Sequence, residues 1–313
     1  MSARLLVVLR PLGLGDFLTG VPAYRALART FPRHRRVLAA PRALHALVAA
    51  TGAFDAACDV APLEALPRRL HDADIAVDLH GRGPASHRVL LAARPRHLLA
   101  FANEAIAQSA SGPCWIAEEH EVARWCRLVS AYGATASPGD LRLARPAASR
   151  SPLRGITIVH PGAASAARRW PLERWVRVVR ALQRDGHTVA LTGSGDEAAL
   201  AADLAARTGI VPTHDLSRRT SLEALSALVA HAKLVLSSDT GIAHLAVAHA
   251  TPSITLFGPS SPAHWGPPAH PRHRVLWAGR TGDPHGTAVD PGLLAITAED
   301  VVAAIAEPAL LAG

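Results

Sequence analysis

Lysine is almost missing from this chain: of its 33 basic residues only Lys233 is a lysine. Arginine and alanine are abundant instead, which reads first as the codon bias of a GC-rich genome and takes much of the basic count away from function. Cysteine is scarce too. Cys58, Cys114 and Cys126 form no CxxC pair and leave one thiol over, which fits a reducing cytoplasm better than a disulfide scaffold. Long apolar runs are also missing. The opening run, Leu5 to Leu9, is closed by Arg10 and is too short for a signal-peptide core or a membrane span, so any membrane contact is expected to be peripheral. The 17 histidines show no HExxH or comparable Cys/His spacing, and no metal or cofactor is expected.

What is present is apolar sequence in alternating strand-like and helix-like stretches. A chain of 313 residues, 49% hydrophobic, buries a large core and fits two α/β domains. Strands are expected at Leu5–Leu9, Val37–Ala40, Ala73–Leu79 and His97–Phe101, with helices through Thr30 and near 42–50, 62–71, 84–93 and 118–132. Residues 145–155 carry two prolines and no apolar face, as a linker does. The alternation restarts with strands at Ile156–His160, Thr188–Thr192, Leu234–Leu236 and Ser253–Phe257. Helices are expected near 172–184, 196–207, 221–230 and after Gly241, then an irregular stretch past Pro262 and a last helix near 298–306. The expected domains are 1–148 and 149–313, each doubly wound. Residues 1–150 hold 19 arginines against 12 acidic residues, and their clusters face an acidic acceptor, an anionic membrane or water alone.

Four constellations could carry chemistry. Gly13-Leu14-Gly15-Asp16 follows the first strand, but Leu18 stands where a dinucleotide fingerprint needs its third glycine and no acid closes the second strand, so an NAD site is not expected. Asp16 then reads either as a helix cap or as a general base at the sheet edge. His160-Pro-Gly-Ala-Ala-Ser165 opens a loop of small residues that leads to Arg168 and Arg169; such a loop admits a diphosphate to the backbone, and an arginine neutralises it. Gly193-Ser-Gly-Asp196-Glu197 is a capped turn or, beside a nucleotide, a place where Asp196 or Glu197 meets ribose hydroxyls. Ser237-Ser-Asp-Thr-Gly241 runs from a strand into a small-residue helix whose first amides form a phosphate seat, with His244 one turn in.

Taken in order, Leu9-Arg10-Pro-Leu-Gly-Leu-Gly-Asp16, His160-Pro-Gly-Ala with Arg168-Arg-Trp-Pro171, and Ser238-Asp-Thr-Gly-Ile-Ala-His244 with Thr255-Leu-Phe-Gly-Pro259 resemble glycosyltransferase family 9, the ADP-heptose:lipopolysaccharide heptosyltransferases. The resemblance implies the GT-B fold, two Rossmann-like domains facing across a cleft, and metal-independent inverting transfer of a heptose or related sugar from an ADP-activated donor to a lipopolysaccharide-core or other glycan acceptor. It implies Asp16 as base. On the donor side it implies Arg168 in place of a family lysine, Ser165, Asp239, Thr240, Gly241 and His244, with Asp196 on the ribose and the backbone around Thr220 on the adenine. Gly15, Asp78, His80 and Arg82 fall on the acceptor side. Hydroxyl residues that face the diphosphate in some members are replaced here by Ala163 and Ala164. The expected partners are ADP-heptose and a glycan or glycolipid, not nucleic acid, with peripheral contact at the inner membrane face. Two alternatives stay open: a nucleotide-sugar epimerase or hydrolase of similar build, and a non-catalytic nucleotide-sugar binding protein.

Overall fold

The computed structural model describes residues 4–311. The chain divides into two compact units, Met1–Ala144 and Arg145–Gly313, so the break falls at the start of the proline-broken stretch, just ahead of the expected boundary at 148.

In chain order the first unit contains β1 (Arg4–Leu9), α1 (Leu14–Thr19), α2 (Val21–Thr30), β2 (His34–Ala40), α3 (His45–Thr51), β3 (Ala56–Asp59), β4 (Ile75–Asp78), α4 (Ala85–Ala92), β5 (His97–Leu99) and α5 (Glu121–Ala131). Its strands form a parallel sheet in the order β3-β2-β1-β4-β5. Val7, Leu9, Val37 and Ala76 lie in one buried cluster, because central parallel strands are covered on both faces and take continuous apolar runs. The strand order reverses between β1 and β4. Leu9 lies in register with Asp78, so the loops leaving the two strands emerge side by side, where open α/β sheets bind ligands.

The second unit contains β6 (Thr157–His160), α6 (Leu172–Arg184), β7 (Val189–Leu191), α7 (Ala198–Thr208), α8 (Leu222–Ala230), β8 (Leu234–Ser238), α9 (Gly241–His249), β9 (Ser253–Phe257), α10 (Pro262–Trp265), β10 (His273–Trp277), α11 (Pro291–Ala295), α12 (Ala298–Ile305) and α13 (Pro308–Leu311). Its parallel sheet runs β10-β9-β8-β6-β7, with the reversal between β6 and β8 and His160 in register with Ser237. α6 shows why these helices form. Arg177, Arg180 and Arg184 face water while Trp175, Val176, Val178, Val179 and Leu182 face the core. Each buried valine or leucine contributes about 1.5–3 kcal/mol.

Three expectations about elements are corrected. The helix near 62–71 does not form; only a 3-10 turn at Arg68–Leu70 does. Pro67 cannot donate to a helix and restricts the residue before it, and Leu63 sits at φ 60°, outside the right-handed region. The strands β3 and β10 were not expected, since Ala-Ala-Cys-Asp has little strand propensity and β10 lies in the stretch read as irregular; both are sheet edges. Finally, α13 follows the helix expected to be the last.

Candidate active site

In the first unit everything turns on the exit of β1. Gly13, extended, precedes α1, and Asp16 sits in the first turn of that helix. The side chain of Asp16 keeps 31% of its surface open, enough for a substrate to reach it. Burial of the rest pushes its carboxyl above the usual aspartate range; Glu121 adds to the rise, while Arg10 and the backbone amides of Asp16 and Gly13 oppose it. A partly open carboxylate with a raised pKa holds a proton more readily than an ordinary aspartate, which is the chemistry a general base needs.

Arg10, the last residue before that turn, is completely buried. Its Nε donates to the Asp16 carbonyl at 2.6 Å, its Nη1 to the Leu79 carbonyl, and its Nη2 to Thr19 Oγ1 at 3.1 Å and Glu121 Oε1 at 3.2 Å. The guanidinium lies 4.5 Å from the centre of the Trp125 ring. Neither Arg10 nor Glu121 was expected among the site residues.

Asp78 does not take the acceptor-side place expected for it. It is fully buried, and one oxygen accepts the His80 amide at 2.9 Å while the other meets His87 Nδ1 at 2.7 Å; His87 Nε2 in turn meets the Phe101 carbonyl. With both oxygens engaged inside the unit, Asp78 shapes the loop that carries His80 and Arg82. Burial lowers the His87 pKa, but the hydrogen bond and charge of Asp78, with the Phe101 carbonyl, outweigh it and the net direction is up. A folded-state value above the unfolded one gives stability that is complete below about pH 6.5 and fades as pH rises through the raised value. Asp78→Ala should therefore cost about 3–5 kcal/mol in acid, and its deficit in thermal denaturation should shrink toward alkaline pH. A deficit independent of pH would mean the pair is not ionic.

His80 is half-buried, and its Nδ1 has no hydrogen-bond partner among the described residues. Burial, reinforced by Arg10, holds it below the usual histidine range against the pull of Asp78 and Asp16, so it is neutral at pH 7. Arg82 is exposed, and Gly15 lies half-exposed in α1.

The second unit builds its site at the exits of β6 and β8. After β6 the small-residue loop turns through a 3-10 segment, Ala166–Arg168, and Arg168 reaches across to the β8 exit, where Nη1 donates to the Asp239 carbonyl at 3.3 Å. Its Nε lies 3.4 Å from Ser165 Oγ, and that hydroxyl donates to the Pro284 carbonyl at 2.6 Å. Asp239 is buried. Burial pushes its carboxyl up, with His244, Arg168 and a hydrogen bond from Ser260 pulling the other way. Thr240 precedes α9 without capping it, and the buried hydroxyls of Ser237, Ser238 and Thr240 have no partner among the described residues. Unspent donors beside an arginine and a helix amino end suit an anionic, oxygen-rich ligand. His244 stands one turn into α9, edge-on to Trp265 at 6.0 Å.

Asp196 is exposed in the 3-10 turn after β7. Thr220, half-exposed, precedes α8 in a segment tied back to that turn by the Arg218 amide donating to the Gly193 carbonyl at 3.0 Å. Glu197, the other residue considered for the ribose, is turned inward: it accepts the Ser194 amide at 2.6 Å and stands 3.6 Å from His160 Nε2. A Cβ on Gly162 would collide with it, so the glycine of His160-Pro-Gly162 makes room for this carboxylate. Burial keeps His160 below the usual histidine range against the pull of Glu197, and its Nδ1 meets Thr192 Oγ1 at 3.0 Å. Trp170 is core, stacked edge-on against Trp175 at 4.9 Å and donating to the Ile296 carbonyl.

The profile described as glycosyltransferase family 9 (heptosyltransferase) matches residues 66–290, well over half of the chain. The chain belongs to glycosyltransferase family 9. Lipopolysaccharide heptosyltransferase 3 of Escherichia coli is 32% identical over 153 residues, which are 47% of this chain and 44% of that protein. The chain spans less than half the length of the curated relatives it matches first. Among solved structures, the Escherichia coli ADP-heptose lps heptosyltransferase II superposes with a TM-score of 0.79 at 22% identity, covering 98% of both chains. The Escherichia coli heptosyltransferase WaaC with ADP gives 0.70 at 19% identity, covering 96% of this chain and 98% of the other. These likenesses show the fold: this family 9 member is GT-B, with two Rossmann-like units. Among the described residues no helix is long and apolar enough to cross a membrane.

Proposed function

We propose that the chain is an inverting glycosyltransferase that moves a heptose or a closely related sugar from an ADP-activated donor to a glycan or glycolipid acceptor of the lipopolysaccharide-core type. The observation that carries this reading is the β8 exit, where Arg168, the α9 amino end and the unspent Thr240 hydroxyl converge beside the buried Asp239. Arg168 and the α9 amides hold the diphosphate and take up the charge that develops as it leaves. Asp239 and Ser165 contact the donor, with His244 on the diphosphate, Asp196 on the ribose and the backbone near Thr220 on the adenine. Asp16 removes the proton of the acceptor hydroxyl as it attacks the anomeric carbon, in one displacement that breaks the bond to the diphosphate. Gly15, His80 and Arg82 border the acceptor. The reading puts the chain in the cytoplasm, in peripheral contact with the inner membrane face where a lipid-linked acceptor is presented.

Thermal denaturation with ADP-, GDP-, UDP- and dTDP-sugars tests the donor. A ligand at about 100 times its Kd stabilises the native state by about 2.7 kcal/mol, and ADP-heptose should give the largest rise in Tm. A preference for UDP or dTDP would remove the heptose reading. Turnover of the donor with no acceptor present would favour an epimerase or hydrolase instead.

A further inference from the structure

Arg10 is the most deeply buried cation at the first site, and its contacts join three separate segments. Nε grips the Asp16 carbonyl in α1, Nη1 the Leu79 carbonyl one residue before His80, and Nη2 the Glu121 carboxylate at the start of α5. Thr19, which accepts from Nη2, donates its own hydroxyl to the same Asp16 carbonyl at 2.9 Å. Glu121 is held in turn by Arg124 and by Trp125 Nε1 at 2.7 Å. A buried guanidinium is kept only where its donors are met, and here the partners that meet them are the backbone that carries Asp16, the backbone that leads to His80, the Thr19 hydroxyl and one carboxylate.

We propose that Arg10, anchored by Glu121, is the positioning residue of the catalytic base, fixing the Asp16 turn against the loop that carries His80. This rests on Asp16 being the base. Arg10 Nη2 also lies 4.0 Å from Asp16 Oδ1, so the same guanidinium that orients the turn sets the charge balance of the carboxyl. The titratable groups facing Asp16 are Arg10 at the β1 exit, Glu121 on α5, His80 after β4 and Tyr24 on α2. Burial raises Tyr24 and lowers His80, so both are neutral at pH 7. The charge beside Asp16 is thus the Arg10 cation, partly spent on Glu121. Arg10 divides its charge between Asp16 and Glu121, while Arg124 also pairs with Glu121, so Asp16 keeps a partial counter-charge that leaves it ionisable yet basic enough to take a proton.

Three substitutions test this: Glu121→Gln and Arg10→Lys, which nearly keep side-chain volume, and Arg10→Met. The readout is the titration midpoint of the Asp16 carboxyl, followed by carbon-13 NMR of aspartate-labelled protein and assigned by the signal missing in Asp16→Asn. Arg10→Met should raise the midpoint by about one pH unit or more, and Glu121→Gln should lower it. Arg10→Lys should leave the midpoint near that of the wild type yet reduce kcat roughly tenfold to a hundredfold, because the charge remains while the fork that holds two carbonyls is lost. If Arg10→Met does not fold, the other two variants decide. Midpoints unchanged by Glu121→Gln, or wild-type kcat in Arg10→Lys, would overturn the proposal. A fully active Asp16→Asn would overturn the base assignment instead, so the two failures are distinguishable.

Discussion

Asp16→Asn should stop sugar transfer, lowering kcat by about 10² to 10⁴, with the affinity for ADP-heptose unchanged. The amide matches the carboxylate in shape and leaves in place the backbone carbonyl that Arg10 and Thr19 hold, so the α1 turn should survive. What disappears is the capacity to take a proton. The residues proposed to hold the donor all lie in the second unit, so calorimetric binding of ADP should not register the change. The pH dependence has a defined sign. Only ionised Asp16 accepts a proton, so the wild-type rate should climb as pH rises through the Asp16 pKa. Burial moves that limb above the ordinary aspartate range. An asparagine variant that transfers sugar at the wild-type rate would falsify the base assignment.

Much of this site could be read from the sequence because its parts are local. A strand followed by Ser-Asp-Thr-Gly and a run of small helix residues announces an anion seat within a handful of positions, and α9 and β9 lie where that pattern puts them. What adjacency cannot supply is the long-range partner. Arg10 and Glu121 are 111 positions apart, and neither stretch alone says that a charged pair is buried beside Asp16. Asp78 misled for the same reason. It ends a strand beside the β1 exit, as a ligand-facing acid would, but His87 on α4 turns inward and claims it. Glu197 parts from its neighbour Asp196 because the 3-10 turn points it inward, where its longer side chain closes the capping box with Ser194 and approaches His160. The two unforeseen strands are edges whose pairing with β2 and β9 outweighs their weak intrinsic propensity.

Arg168→Ala should weaken binding of the donor and slow transfer together, and the size of the first effect follows from the diphosphate contact proposed for it. A charge-assisted hydrogen bond to a diphosphate contributes about 1.5–3 kcal/mol, so affinity for ADP-heptose should fall about tenfold to a hundredfold. The loss reaches further than one contact. Arg168 is one of the groups that hold the Asp239 carboxyl down against burial, and without it Asp239 takes up a proton at higher pH. Donor binding by the alanine variant should consequently fail at a higher pH than the wild type does as solutions are made more acidic. Arg168→Lys separates the two contributions. An ammonium restores the point charge beside Asp239 and with it the wild-type pH dependence, but it cannot make the paired hydrogen bonds of a guanidinium. Recovery in the lysine variant should therefore be complete for pH sensitivity and partial for affinity. Donor affinity unchanged in Arg168→Ala would take this arginine off the diphosphate altogether.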